Sequence, residues 1–195
     1  MVAVMARAKE FDEQQALSAA VELFWRKGYE GTSVQDLVDA TGVNRASLYA
    51  TFGDKQQLFR KALAQFGDRN VKSLRELAAT AGGGLHRIRA VFRLVAEQTL
   101  SDHRGCMVAN AVTELSAREP WMAEIGESSR EQIERIFLAC LKEASAAGEI
   151  QPGKSNRATA RFLTNSLFGL RVMAKMKPSR TFVQDIVRAN LAVLK

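Results

Sequence analysis

The chain has 195 residues, enough for one or two domains with a real apolar core. Apolar residues make up 47% of it, which argues against a disordered chain, and no apolar run approaches the ~20 residues of a membrane-spanning helix. Net charge is +7, but residues 1–60 carry seven Lys/Arg against eight Asp/Glu, so bulk charge alone does not assign a nucleic-acid partner.

The start, MVAVMARAKEFDEQQ, lacks a signal-peptide apolar region and cleavage site, so the cytoplasm is the expected compartment and no membrane partner is implied. The first helix is expected from about Asp12 to Lys27, with Ala16, Ala19, Ala20, Leu23 and Phe24 at helical spacing and Gly28 at its end. A second opens at Thr32 or Ser33, a good N-cap, and turns its Val34, Leu37 and Val38 inward. Thr41-Gly42-Val43 is a turn, and a third helix opens at Asn44 with Leu48 inward and Arg45, Ala46, Ser47 and Tyr49 more exposed. Two short helices joined by a glycine-containing turn have the form of a helix-turn-helix. Locally, Arg45, Lys55, Arg60 and Lys61 face only Asp54, a small basic cluster inside a net-negative segment.

A long fourth helix is expected from about Asp54 to Ala79, and Gly82-Gly83-Gly84 reads as a break, either a functional boundary or a flexible loop. The fifth covers about Leu85–Leu100, the sixth Cys106 to about Arg118, and the seventh follows Pro120 to about Ala147. Gly148 to Gly153 is a loop. Ser155 caps an eighth helix reaching about Met176, and a ninth runs over Arg180–Leu194 after Pro178. No strand pattern appears, so the expected fold is all-α, with nine helices.

In a helix-turn-helix the second helix enters the major groove. Arg45 is the expected base reader, because its planar fork matches the O6/N7 edge of guanine. Ser47 is placed to reach a base or a phosphate. Tyr49, Thr51 and Lys55 suit phosphates, and Thr32 and Ser33 offer hydroxyls and N–H groups at a helix start.

The motifs Gly28-Tyr29, Thr32-Ser33-Val34, Thr41-Gly42-Val43-Asn44-Arg45-Ala46-Ser47-Leu48-Tyr49, and Phe52-Gly53-Asp54-Lys55 with Leu58 resemble the N-terminal signature of TetR-family transcriptional regulators. The resemblance spans about Ala16 to Phe59. Asn44 stands where Ser or Thr is usual, and Thr51 where His or Tyr is common, which removes a phosphate contact or alters base preference. The resemblance implies a homodimeric repressor of a palindromic double-stranded DNA operator. Its DNA-binding domain would be residues 1–53, and residues 54–195 would sense the signal and dimerise. It also assigns the last two helices to the dimer interface, with Phe162, Ser166, Leu170, Phe182, Ile186 and Asn190 as the contact residues. Signal binding would then shift the spacing of the two DNA-binding domains.

The signal has two readings. Arg104-Gly105-Cys106-Met107-Val108 resembles a subgroup of electrophile- and bleach-responsive TetR-type repressors, with Cys106 as sensor and Lys175 as a neighbour. A helix N-terminus, Arg104 and His103 would favour its thiolate. The alternative for Cys106 is a small buried apolar side chain. The other signal is a non-covalent small molecule, in a pocket lined by Phe92, Met107, Trp121, Met122, Phe137, Phe168 and Met173, although such residues are also ordinary core. Arg87, Arg89, Arg93 and Arg171 either hint at an anionic ligand or are solvated helix faces. Cys140 reads as core. Two cysteines and two histidines, His86 and His103, with no CxxC or HxxxH spacing, give no expectation of a metal or cofactor. No Ser/His/Asp set or phosphate loop stands out, so an enzyme is not expected; a helical protein-binding adaptor remains as the alternative class.

Overall fold

A computed structural model describes residues 11–80, 82–150 and 155–194. The expectations for the first ten residues and for the end of the Gly148–Gly153 loop lie outside the described residues. Nine α-helices appear among the described residues, and no strands: α1 Glu13–Lys27, α2 Val34–Thr41, α3 Arg45–Phe52, α4 Lys55–Ala78, α5 Gly84–Ser101, α6 Met107–Leu115, α7 Trp121–Ala146, α8 Asn156–Met173 and α9 Arg180–Ala192. A 3₁₀ turn, Ala174–Met176, ends α8, and Lys177 follows with φ 51°. The sixth helix stops at Leu115, short of Arg118, and Pro120 is the N-cap of α7. No described helix is long and apolar enough to cross a membrane.

Two compact units result, 1–65 and 66–195. The division falls inside α4 and not at residue 53, because the first turns of α4 belong to the first core. There Phe59 meets the rings of Phe24 and Tyr29 at 4.8 and 4.9 Å, and Leu58, Ala62 and Leu63 are buried. Ala16, Ala20, Leu23 and Phe24 bury one stripe of α1, and Leu37, Leu48 and Phe52 complete this core. Each large side chain so buried stabilises by roughly 1.5–3 kcal/mol, against the entropy of ordering it.

Asp12 caps α1, accepting from the backbone N–H groups of Gln14 and Gln15 at 2.8 and 3.1 Å. Ser33 and Asp36 form a reciprocal capping box on α2. Gly42 ends α2 at φ 69°, ψ 11°, a left-handed conformation that costs a residue with a Cβ about 1 kcal/mol or more. Its conformation sets the turn into α3.

The second unit packs α5, α7 and α8 around Ile88, Phe92, Ile133, Phe137, Leu163 and Leu167. The glycine run breaks the chain between α4 and α5, as expected, but its last residue does more. Gly84 begins α5 and is buried, and a Cβ there would come within 2.0 Å of the Cys140 carbonyl oxygen. Gly84 thus marks a close crossing of α5 over α7, held also by the Leu85 N–H donating to Glu149 Oε2 at 2.9 Å.

Candidate nucleic-acid interface and sensor region

On α3, the side chain of Asn44 is the N-cap, its Oδ1 accepting from the Ser47 N–H at 2.9 Å. That bond orients the first turn and leaves Asn44, Arg45 and Ala46 exposed together. The Arg45 guanidinium lies 5.7 Å from the Tyr49 ring centroid. Stacking of this kind restrains the fork without using its hydrogen-bond donors. Ser47, Tyr49 and Thr51 are half-buried. Lys55, at the start of α4, holds its ammonium 4.3 Å from the Tyr29 ring centroid.

At the start of α2, Ser33 is exposed but engaged in its capping box. Thr32 departs from expectation: it is fully buried, and its hydroxyl donates to the Gly28 carbonyl at 2.6 Å. Its role is to close the α1–α2 connection, and it has no hydroxyl turned outward for a phosphate. Lys27 pairs with Asp36 at 2.6 Å, which the sequence reading did not anticipate.

In the second unit Cys106 is the N-cap of α6 and is buried, with 3% of its surface exposed. The Arg104 guanidinium forks onto Asp102 at 2.7 Å, and its carbonyl accepts from Asn110 Nδ2. A second cation, Arg171, also lies at the thiol. Arg171 is 6% exposed, donates to Asn70 Oδ1 at 2.7 Å and stands near enough to the Cys106 side chain to interact with it electrostatically. Burial pushes this guanidinium below its ordinary value, and the contact with Cys106 opposes that shift. The expectation of a solvated Arg171 therefore fails. Its signal in the sequence was its place beside Leu170 on the inward stripe of Leu163, Leu167, Leu170 and Ala174. Lys175 is exposed, and its Cγ lies 3.7 Å from where a Cβ on Gly105 would stand. Cys140 is buried, and that burial raises its thiol above the ordinary value.

The pocket residues expected from the sequence mostly serve as core. Phe92 and Phe137 stack at 5.7 Å in the centre of the unit, Met107 and Met122 are buried, and Phe168 packs against the same cluster. Trp121 is half-buried and donates its indole N–H to Glu119 Oε2 at 2.6 Å. Met173 is also half-buried. None of them lines the cleft of about 460 Å³ that opens between α5 and α9. Among the described residues no cluster of His, Cys, Asp or Glu is placed to hold a metal ion.

Of the residues assigned to a dimer face, Phe162, Phe182 and Ile186 are exposed, at 42%, 44% and 37%. Ser166 is half-buried. Leu170 and Asn190 are corrections: both are buried within the protomer, Leu170 in the core cluster and Asn190 with an Nδ2 that has no hydrogen-bond partner.

Comparison with known proteins places these features. The profile of bacterial regulatory proteins of the tetR family matches residues 16–62, and that of the tetracyclin repressor-like C-terminal domain matches residues 84–190. The chain is 33% identical to the HTH-type transcriptional regulator YezE of Bacillus subtilis over 193 residues, covering 97% of this chain and all of that one. It is 34% identical to the HTH-type transcriptional repressor ComR of Escherichia coli, covering 95% and 90% of the two chains. Among solved structures it resembles a cysteine mutant of the TetR family transcriptional regulator CifR complexed with 26-bp double-strand operator DNA. That match has a TM-score of 0.86 and 29% identity, covering 97% of this chain and 100% of the other. With both halves matched and a relative aligned over nearly its whole length, the chain belongs to the TetR family of transcriptional regulators, which are DNA-binding proteins and not enzymes.

Proposed function

We propose that this protein is a homodimeric repressor that holds a palindromic double-stranded DNA operator through α3 and leaves it when a small molecule or electrophile acts on the second unit. The observation that carries the DNA role is the exposed first turn of α3, with Asn44 used as the cap and Arg45 stacked on Tyr49 beside exposed Ala46. Ser33, Asn44, Ala46, Ser47, Tyr49, Thr51 and Lys55 are the remaining proposed contacts, all of them exposed or half-buried. The unit of residues 1–65 acts as the DNA-binding domain and that of residues 66–195 as the sensing and dimerising one. The CifR neighbour bound to operator DNA and the repressor ComR support both the partner and the sign of regulation.

For the signal, Cys106 with Arg171 and Lys175 is the favoured site. A buried guanidinium is costly without an anionic partner, and the groups that meet Arg171 are an amide and the Cys106 thiol. Modification of the sulfur would change the charge beside that cation. Because Cys106 is buried, reagent reaches it through local opening.

One titration tests both parts: fluorescence anisotropy on the protein's own upstream DNA at several salt concentrations, with and without an electrophile such as methylglyoxal. Arg45→Ala is expected to lose about 1–3 kcal/mol of specific binding, and wild type to show a steep negative salt slope. Unchanged affinity in Arg45→Ala sinks the base-reading role, and a flat salt response favours a protein-binding adaptor. Cys106→Ser is expected to bind DNA normally and to resist release; equal release by the electrophile ends the sensor reading.

A further inference from the structure

The cleft between α5 and α9 takes part in none of the roles above. Its floor is apolar, made by Leu100 of α5 with Val183, Val187 and Leu191 of α9. Arginines stand around it: Arg89 and Arg93 one turn apart on α5, and Arg180 and Arg188 on α9. Arg188 is paired with Asp185, but among the described residues Arg89, Arg93 and Arg180 form no salt bridge. The lining holds one carboxylate, Glu97, which pairs with none of them. Four arginines against one carboxylate, Glu97, give this apolar trough a cationic excess that the single i,i+4 neighbour of Arg93 does not balance.

We propose that this cleft is a binding site for an amphipathic organic anion, a carboxylate carried on an apolar body, with its head on Arg93 and Arg180 and its tail along Val187 and Leu191. Arginine forks match a carboxylate in two parallel hydrogen bonds and lose little hydration in doing so. The volume of about 460 Å³ suits a small ligand, since such sites run about 300–1,000 Å³. The cleft uses the face of α9 that carries Arg180, Gln184 and Arg188, while Phe182 and Ile186 lie elsewhere on that helix, so occupancy leaves the exposed apolar residues free. A ligand there bridges α5 to α9 without contact with Cys106. The site adds an effector to the proposed regulator, but its existence is measured without DNA, so its failure is separate from failure of that reading.

The experiment is calorimetric titration of the full chain with decanoate below its micelle concentration, beside decanol and acetate. Decanoate is expected to bind, decanol to bind at least about ten-fold more weakly for want of the charge, and acetate to give no measurable heat. In Arg93→Gln/Arg180→Gln, both positions exposed and checked for folding by circular dichroism, decanoate affinity is expected to fall by about ten-fold or more. Absence of decanoate binding, equal binding of decanol, or unchanged affinity in the double variant each overturns the proposal.

Discussion

Charge has opposite fates at Arg171 and Asp36. Arg171 is taken out of water and held by neutral or weakly acidic groups, so burial lowers its value; Asp36 stays at the surface and gains partners. The hydrogen bond from Lys27, then those from the Ser33 backbone and hydroxyl, hold the Asp36 carboxyl well below its ordinary 3.8. A carboxyl depressed on folding stabilises the fold above its unfolded value, and the contribution fades as pH falls through the lower folded value. Asp36→Asn is therefore expected to melt below wild type at neutral pH, with the gap narrowing below about pH 4 as the carboxyl of the unfolded chain takes up its proton while the folded one stays ionised. Thermal melts followed by circular dichroism check this. A gap that stays constant down to about pH 3 would show that the carboxylate charge contributes nothing.

Among the elements, α3 and the start of α5 show how packing finishes what propensity begins. Eight residues are too few for a stable isolated helix, so α3 depends on its Asn44 cap and on burying Leu48 and Phe52. At the start of α5, packing decides more. A glycine run suggests a loop, yet Gly84 is where two helix backbones touch, and a methyl group would meet both the Cys140 carbonyl and the Ala144 N–H. Gly84→Ala is expected to destabilise by about 1–3 kcal/mol, the usual cost of forcing atoms into a filled space. Urea unfolding measures it, and an unchanged midpoint would mean that α5 and α7 separate without cost at this point. The same substitution at an exposed helix position would stabilise, because alanine is the better helix former.

Across the whole molecule, a second copy of the chain is the proposed occupant of the exposed apolar residues on α8 and α9. Phe162, Phe182 and Ile186 are large side chains left in water, and burying each would contribute roughly 1.5–3 kcal/mol before association costs. Phe182→Glu/Ile186→Glu is expected to yield monomers in light scattering at concentrations where wild type is dimeric. Its operator affinity should fall as well, since a monomer reads one half-site. A dimer that survives the double substitution would place the interface elsewhere.

The helices of the first unit were largely legible in the sequence because their signals are local. Asp12, Ser33, Asn44 and Ser155 cap helices through bonds spanning two or three residues, and Gly42 turns the chain by its own backbone conformation. Thr32 escaped that reading because a hydroxyl at a helix start looks the same whether it faces water or, as here, donates backward to Gly28. In the second unit helical periodicity announced each helix but not its neighbours. Leu170 and Asn190 share spacing with exposed Phe162 and Ile186, and only packing separates those turned inward from those left out.

By itself, then, the sequence determined the helices, their caps and turns, and through the residues around Gly42 the family, because those depend on interactions reaching four residues or fewer. The tertiary structure alone decided that Arg171 meets Cys106 and reaches Asn70, 101 positions away, and that Arg93 and Arg180 flank one cleft. Such meetings follow from which faces pack once the core closes, and burial then turns a common charged side chain into one that needs a partner.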